Sequence, residues 1–201
     1  MILRRFSWIL LLLFLAGCAS EPTNFYVLTQ DDPGSEASEQ SSQTRECIRV
    51  DLGPVSFPGY LDRSGIMTRV GPNRFRLSEL HHWAEPLKEN FVRILKDNLE
   101  SCLRTEDAAV VTRPKLDADY RIQVRVIRFE PVKRQQAVLV AHWRVFRLES
   151  GEVICSRRAD YRHSMQGEDY QDAVMAMSKA TTSLSEDIAR CLAQASNSTL
   201  N

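Results

Sequence analysis

No excess of charge of either sign runs through this chain: 26 Lys and Arg stand against 26 Asp and Glu. That balance gives no electrostatic grip on nucleic-acid phosphates, so nucleic acid is not expected as a partner. Beyond residue 15 no segment is apolar enough to span a bilayer, which takes a helix of about 20 apolar residues. No C-x-x-C pair occurs, which argues against a thioredoxin-like redox role, and the cysteines present are too widely spaced for a zinc site. No Ser-His-Asp spacing, glycine-rich phosphate loop or carboxylate pair stands out. The expectation is a protein that is not an enzyme and holds no metal and no cofactor. No internal repeat is visible.

What is present begins at the N-terminus. Arg4 and Arg5 precede the apolar run Phe6 to Leu15, FSWILLLLFL, which has the length of a signal peptide and is too short to cross a membrane. The run closes on Leu15-Ala16-Gly17-Cys18, which looks like a lipobox. Small residues at 16 and 17 let the extended backbone enter a peptidase cleft, and the Cys18 thiol is the nucleophile that receives a diacylglyceryl group. Two or more acyl chains, at about 0.8 kcal/mol per buried methylene, anchor a protein stably without a transmembrane helix. The division expected is a signal peptide over 1–17, an acylated tether over 18–24 and one domain over 25–201. Ala19, not Asp, follows the cysteine. In a Gram-negative cell this resembles the pattern sorted to the outer membrane, facing the periplasm. Removing residues 1–17 takes Arg4 and Arg5 with it and leaves 24 basic residues against 26 acidic ones.

Four cysteines remain: Cys47, Cys102, Cys155 and Cys191. An even number in an oxidising compartment suggests two disulfides with three connectivities.

Along the chain, Phe25 to Thr29 reads as a small strand, and Asp31 to Arg45, without a large apolar residue, as a flexible linker or loop. Cys47 to Val55 alternates like a half-buried strand. Ile66 to Val70 and Arg74 to Leu77 flank Gly71-Pro72-Asn73, a hairpin signal. A helix is predicted over Ala84 to Leu103, with Leu87, Phe91, Ile94, Leu95, Leu99, Cys102 and Leu103 on one face and Glu89–Arg93 and Lys96–Glu100 at ion-pair spacing on the other. Strands follow over Asp119 to Glu130, Gln135 to Leu148 (apolar on both faces around Trp143, hence central) and Val153 to His163. The last helix spans Asp169 to Ala195, with Asp169 as its N-cap.

This order predicts a single α+β domain: a mixed or antiparallel sheet with two amphipathic helices on one face, in β-α-β-β-β-α order. The other face would carry Arg49, Arg121, Gln123 and Arg125, with either Arg157 or Arg158. In this topology each of two helices returns antiparallel to the strand before it, which favours the pairs Cys47–Cys102 and Cys155–Cys191. The set Cys102–Cys191 with Cys47–Cys155 stays open.

Several segments carry a family resemblance: Pro58-Gly59-Tyr60-Leu61-Asp62-Arg63, Ile66-Met67-Thr68-Arg69 and Leu80-His81-His82-Trp83-Ala84-Glu85-Pro86-Leu87, with the lipobox and Phe25-Tyr26-Val27-Leu28. Together they resemble the ABC-transporter auxiliary lipoproteins, which include the paraquat-inducible protein C lipoproteins of MCE transport systems. The resemblance covers nearly all of the mature chain. It implies a non-enzymatic outer-membrane partner of a periplasmic MCE-type protein, in a system for intermembrane lipid transport and envelope integrity.

Within those segments, His81, His82 and Glu85 have no obvious further protein ligand to complete a metal site, so packing before the helix is favoured over metal binding. Trp83 would staple that helix to the sheet. Tyr60, Leu61, Asp62 and Arg63 form an aromatic, aliphatic and charged cluster suited to partner binding, weighed equally against a local ion pair that shapes the loop. A rival function is a lipid-binding carrier module, although the apolar positions look fully used by core packing.

Overall fold

The computed structural model describes residues 21–30, 48–105 and 118–197. The expected signal peptide over 1–17, Cys18, the segment 31–45 and Cys47 lie outside the described residues. Among the described residues no helix is long and apolar enough to cross a membrane.

The domain is a mixed seven-stranded sheet with two helices. The strands are β1 (Asn24–Tyr26), β2 (Val50–Ser56), β3 (Gly65–Gly71), β4 (Arg74–Trp83), β5 (Tyr120–Val132), β6 (Gln136–Arg147) and β7 (Val153–Ser164). The helices are α1 (Leu87–Thr105) and α2 (Tyr170–Asn197). The sheet order is β1-β4-β3-β5-β6-β7, and β2 also pairs with β5. β5, β6 and β7 form an antiparallel meander, while β2 runs parallel to the first half of β5. β3 touches the far end of β5 through Arg69 opposite Val132. The long strand β5 is therefore the spine: two shorter strands share one of its edges, and β6 covers the other.

Alternation sets the layers. On β6 the residues Ala137, Leu139, Ala141, Trp143 and Val145 belong to the main core cluster, together with Ile122, Val124 and Phe129 of β5. α1 contributes Leu87, Phe91, Ile94, Leu95, Leu99 and Leu103, and α2 contributes Val174, Met177, Leu184, Ile188 and Leu192. Both helices thus cover one face, as the 3–4 spacing predicts. Trp143 is fully buried, and truncating such a side chain to alanine costs about 3–5 kcal/mol. Asp169 caps α2, accepting the Asp172 N–H at 2.8 Å.

Two local expectations are corrected. α1 starts at Leu87 rather than Ala84, because β4 continues to Trp83. There β1 pairs with it in parallel, from Asn24 opposite His81 to Tyr26 opposite Trp83. Arg93 pairs with Glu85 rather than with Glu89, whereas the Lys96–Glu100 pair is present at 3.8 Å.

The segment after β1 is sewn down. The Leu28 N–H donates to Asn90 Oδ1 of α1 at 2.6 Å, and the Thr29 N–H donates to Ser178 Oγ of α2 at 3.1 Å. Leu28 itself is 1% exposed. Two polar side chains, Asn90 and Ser178, thereby fasten the segment after β1 to both helices.

The turn between β5 and β6 is unusual. The Gln135 N–H donates to the Val132 carbonyl at 3.0 Å, and both central residues, Lys133 and Arg134, sit at positive φ, 51° and 54°. This is the hand of a type I′ turn, where Asn-Gly is favoured. For residues bearing a Cβ it costs about 1–2 kcal/mol each. The β6–β7 turn, by contrast, places Gly151 at φ 70°.

Candidate functional site

The structure joins Cys155 of β7 to Cys191 of α2 by a disulfide, with Cα atoms 6.6 Å apart. This is one of the two pairs favoured from strand and helix order. It ties the last turns of α2 to the edge strand. Cys102 lies half-buried on α1, and its expected partner Cys47 is outside the described residues.

The four loop residues proposed for partner binding are not presented as one surface. Leu61 is 5% exposed and belongs to the core. Asp62 and Arg63 are exposed. Tyr60, in the short 3-10 helix Gly59–Leu61, is half-buried and donates its phenolic hydrogen to Glu130 Oε2 at 2.6 Å. Its ring stacks on Phe75 of β4 at 4.8 Å between centroids. Glu130 is fully buried and also accepts from Arg69 Nε at 2.7 Å and Arg128 Nε at 3.0 Å, while the Arg69 guanidinium lies 4.2 Å above the Phe75 ring. Burial, followed by the hydrogen bond to Glu130, raises the Tyr60 pKa.

This cluster shows how the chain crosses the sheet. Phe57 packs edge-on against Phe91 and Phe129 on the helix side. Three residues later Tyr60 reaches Glu130, which, as the neighbour of Phe129 in a strand, points to the opposite face. Arg69 stood in a segment that carries the family resemblance, but none of Phe75, Arg128 or Glu130 stood out in the sequence. Tyr60 and Arg69 lie 70 and 61 residues from Glu130 in the chain, so local pattern carried no sign that the three meet.

That opposite face bears the expected arginines and more. Register places Arg125 opposite His142, and His142 opposite Arg158, in one row across β5, β6 and β7. The next row is Gln123, Arg144 and Ser156. Arg158 is therefore the arginine on this face. Arg157 lies opposite Trp143 instead, its guanidinium 5.9 Å from that ring. Around the margin the charges are matched: Arg121 with Asp51 at 2.8 Å, Arg162 with Asp160 at 2.7 Å, and Arg69 and Arg128 with Glu130. Arg49 pairs with Asp119 at 2.8 Å, and that hydrogen bond holds the Asp119 carboxyl below its ordinary pKa.

At the centre, Arg125, Arg144 and Arg158 are exposed and, among the described residues, take part in no ion pair. Neighbouring strands lie about 4.8 Å apart, so Arg125 and Arg158 stand about 10 Å from one another on either side of His142, close to the Debye length of about 8 Å at physiological salt. Beside this patch Val138 and Val140 are buried although no helix covers them. Their strand neighbours are Glu130 with Arg162 and Arg128 with Asp160, long side chains whose stems screen apolar surface.

His81 and His82 are engaged locally. His81 Nδ1 is 2.8 Å from the Tyr26 hydroxyl, and its ring stacks on Tyr170 at 4.1 Å. His82 Nε2 lies 2.9 Å from the Glu79 carbonyl. Trp83 is 6% exposed and packs in the core at the end of β4. Among the described residues no three His, Cys, Asp or Glu side chains converge as metal ligands would.

Residues 26–189 match the family model of the ABC-type transport auxiliary lipoprotein component. The chain is similar in fold to the crystal structure of an uncharacterised protein (TM-score 0.69, 20% identity, 85% of this chain and 98% of that one). It is also similar to a protein from Xanthomonas campestris (TM-score 0.61, 20% identity, 88% of this chain and 99% of that one). At such identities the likenesses concern the fold alone. No curated protein matches the chain.

Proposed function

The chain belongs to the ABC-type transport auxiliary lipoproteins, and from that membership we propose that it is a non-enzymatic adaptor whose cationic sheet face docks the periplasmic MCE-type subunit of its transporter. Acyl chains on Cys18 hold it on the outer membrane, to which Ala19 directs it, with the domain facing the periplasm. The system it serves moves lipids between the two membranes and so maintains envelope integrity.

One observation carries the docking reading: Arg125, Arg144 and Arg158 surround His142 on a face that neither helix covers, unmatched by carboxylates where Arg69, Arg121, Arg128 and Arg162 around them are matched. Three neighbouring guanidiniums repel one another, and an acidic partner surface relieves that repulsion while steering encounter and fixing register. Asp62 and Arg63, exposed beyond the Tyr60 cluster, extend the contact. The carrier reading has no comparable support, since Trp143, Phe91, Phe129 and Leu139 fill the layer between sheet and helices.

The test is site-specific photocrosslinking in cells with the full chain. A crosslinker at position 125 or 158 should capture the transporter's periplasmic subunit. One at Met175, exposed on the outer side of α2, should not. Capture of that subunit from position 175 alone, or from none of the three, overturns the proposal.

A further inference from the structure

On the helix side of the sheet, away from the arginine patch, lies a half-open pocket of about 240 Å³ bounded by Thr68, Val70, Arg76, Lys133, Arg134 and Tyr170. We propose that this pocket binds a phosphate group. The inference goes beyond the docking reading and does not rest on it, because the two sites occupy opposite faces of the sheet.

Three observations converge. The first is charge. Arg76, Lys133 and Arg134 line one small cavity, no carboxylate lines it with them, and among the described residues none of the three is in an ion pair. Asp169, next to Tyr170 in sequence, caps α2 by accepting the Asp172 N–H and does not line the cavity. Three uncompensated cations at one cavity repel each other until an anion enters.

The second is backbone strain. Lys133 and Arg134 occupy the left-handed region, where Asn-Gly would sit without penalty. Their turn is held in place: Lys133 N–H donates to the Arg69 carbonyl at 2.8 Å, and Met165 N–H to the Gln135 carbonyl at 2.9 Å. Strain of this kind persists where the surroundings over-determine it, and it gathers at ligand sites. Here it places two cations side by side on a rigid turn, at the rim of the same cavity that Arg76 lines.

The third is shape and chemistry. Drug-sized ligands take pockets of about 300–1,000 Å³, so this cavity suits a smaller group. Guanidinium forks match phosphate oxygens, a lysine adds a point charge, and Thr68, 4% exposed, supplies a hydroxyl. The Arg134 guanidinium lies 5.5 Å from the Tyr170 ring, and Tyr170 in turn stacks on His81.

The ligand is a phosphate ester or free phosphate. A lipid headgroup is within reach, since Tyr170 also packs at 6.5 Å on Tyr26 of the strand that follows the tether.

The experiment uses the full mature lipoprotein in neutral detergent micelles and follows melting temperature and phosphorus-31 line width. One arm adds inorganic phosphate against chloride at equal ionic strength. The other dopes the micelles with phosphatidylglycerol against phosphatidylcholine. A rise in melting temperature with inorganic phosphate identifies the free anion as sufficient; a rise with phosphatidylglycerol alone identifies the headgroup. In whichever arm responds, Arg76→Gln should weaken apparent binding at least tenfold. The double variant K133N/R134G should lose the response while melting higher than the parent without ligand. Lys88→Gln, exposed on α1 and outside the pocket, should respond as the parent does. Failure of both arms, or equal responses from Arg76→Gln and the parent, overturns the proposal. Arg76→Gln keeps the test decisive even if the turn variant fails to fold.

Discussion

The Tyr60 hydroxyl and the buried Glu130 carboxylate meet at 2.6 Å across the rim of the sheet, between a loop and a strand 70 residues apart. The bond fixes the crossing of the chain from the helix side to the opposite face, and it makes Glu130 the common acceptor of a tyrosine and two arginines.

Removing that acceptor should be costly. Breaking a buried ion pair from one side costs about 3–5 kcal/mol, and partial exposure of the arginines moves the expected value toward the lower end. Glu130→Ala should therefore destabilise by about 3 kcal/mol in urea unfolding, and Tyr60→Phe, which keeps the ring on Phe75, by about 1–2 kcal/mol. Equal losses from the two variants would show that ring packing, not the carboxylate, holds the loop.

The same bond sets an alkaline limit. Tyr60 and Tyr161 both have raised pKa values, first through burial and then through hydrogen bonds to Glu130 and Asp187. A tyrosine raised in the folded state stabilises fully below its unfolded value of about 10, and its contribution is lost as pH climbs through the folded value. Wild type should lose stability steadily above about pH 10. The double variant Y60F/Y161F, though less stable at pH 7, should fall less steeply in the same range.

At the acid end the sign reverses. Asp119 is held low by its hydrogen bonds to Arg49, so its contribution is present above the ordinary carboxylate range and disappears as pH falls through the folded value. Asp119→Asn should melt below wild type at pH 7, and the gap should close below about pH 3, read by thermal scans at matched ionic strength. The pair is well exposed, so the gap itself should be small and shrink in salt.

The Cys155–Cys191 bond closes a sequence separation of 36 residues. A loop of that length corresponds to about 3–4 kcal/mol in the chain-entropy account. Cys155→Ser should lose most of that in denaturant unfolding, and reductant should destabilise wild type without affecting the variant through this bond.

Charge reversal on the docking face should separate folding from assembly. R125E and R158E lie on exposed positions and should each shift stability by no more than about 0.5 kcal/mol. Co-purification of the transporter's periplasmic subunit should nevertheless fall sharply, with a steeper salt dependence for wild type than for either variant.

The parts of the fold that repeat locally were legible in the sequence. Tyr120, Ile122, Val124 and Val126 alternate as the strand requires, and Leu87, Phe91, Ile94 and Leu95 mark the buried stripe of α1. Even the cysteine pair of β7 and α2 followed from element order. What escaped was set by distant contacts. Leu80 to Trp83 read as the approach to a helix because their extended form depends on β1, more than 50 residues earlier. Glu130 looked like a strand-end carboxylate, since its three side-chain partners come from a loop, another strand and its own neighbour. Lys133 and Arg134 gave no glycine or asparagine signal of a tight turn. The charge that hid the turn is the feature that makes it chemically interesting.

The stitching of Leu28 and Thr29 to the two helices has a mechanical corollary. Between an acylated Cys18 and the start of β1 at Asn24 the chain can extend only about 20 Å, and nothing beyond Asn24 can pay out further. On the proposed acylation of Cys18 the domain would be confined to a thin shell over the bilayer, and a subunit reaching into that shell would meet it at a local concentration fixed by geometry rather than by copy number. Under such confinement the proposed sheet-face contact could be shallow and salt-sensitive and still be occupied.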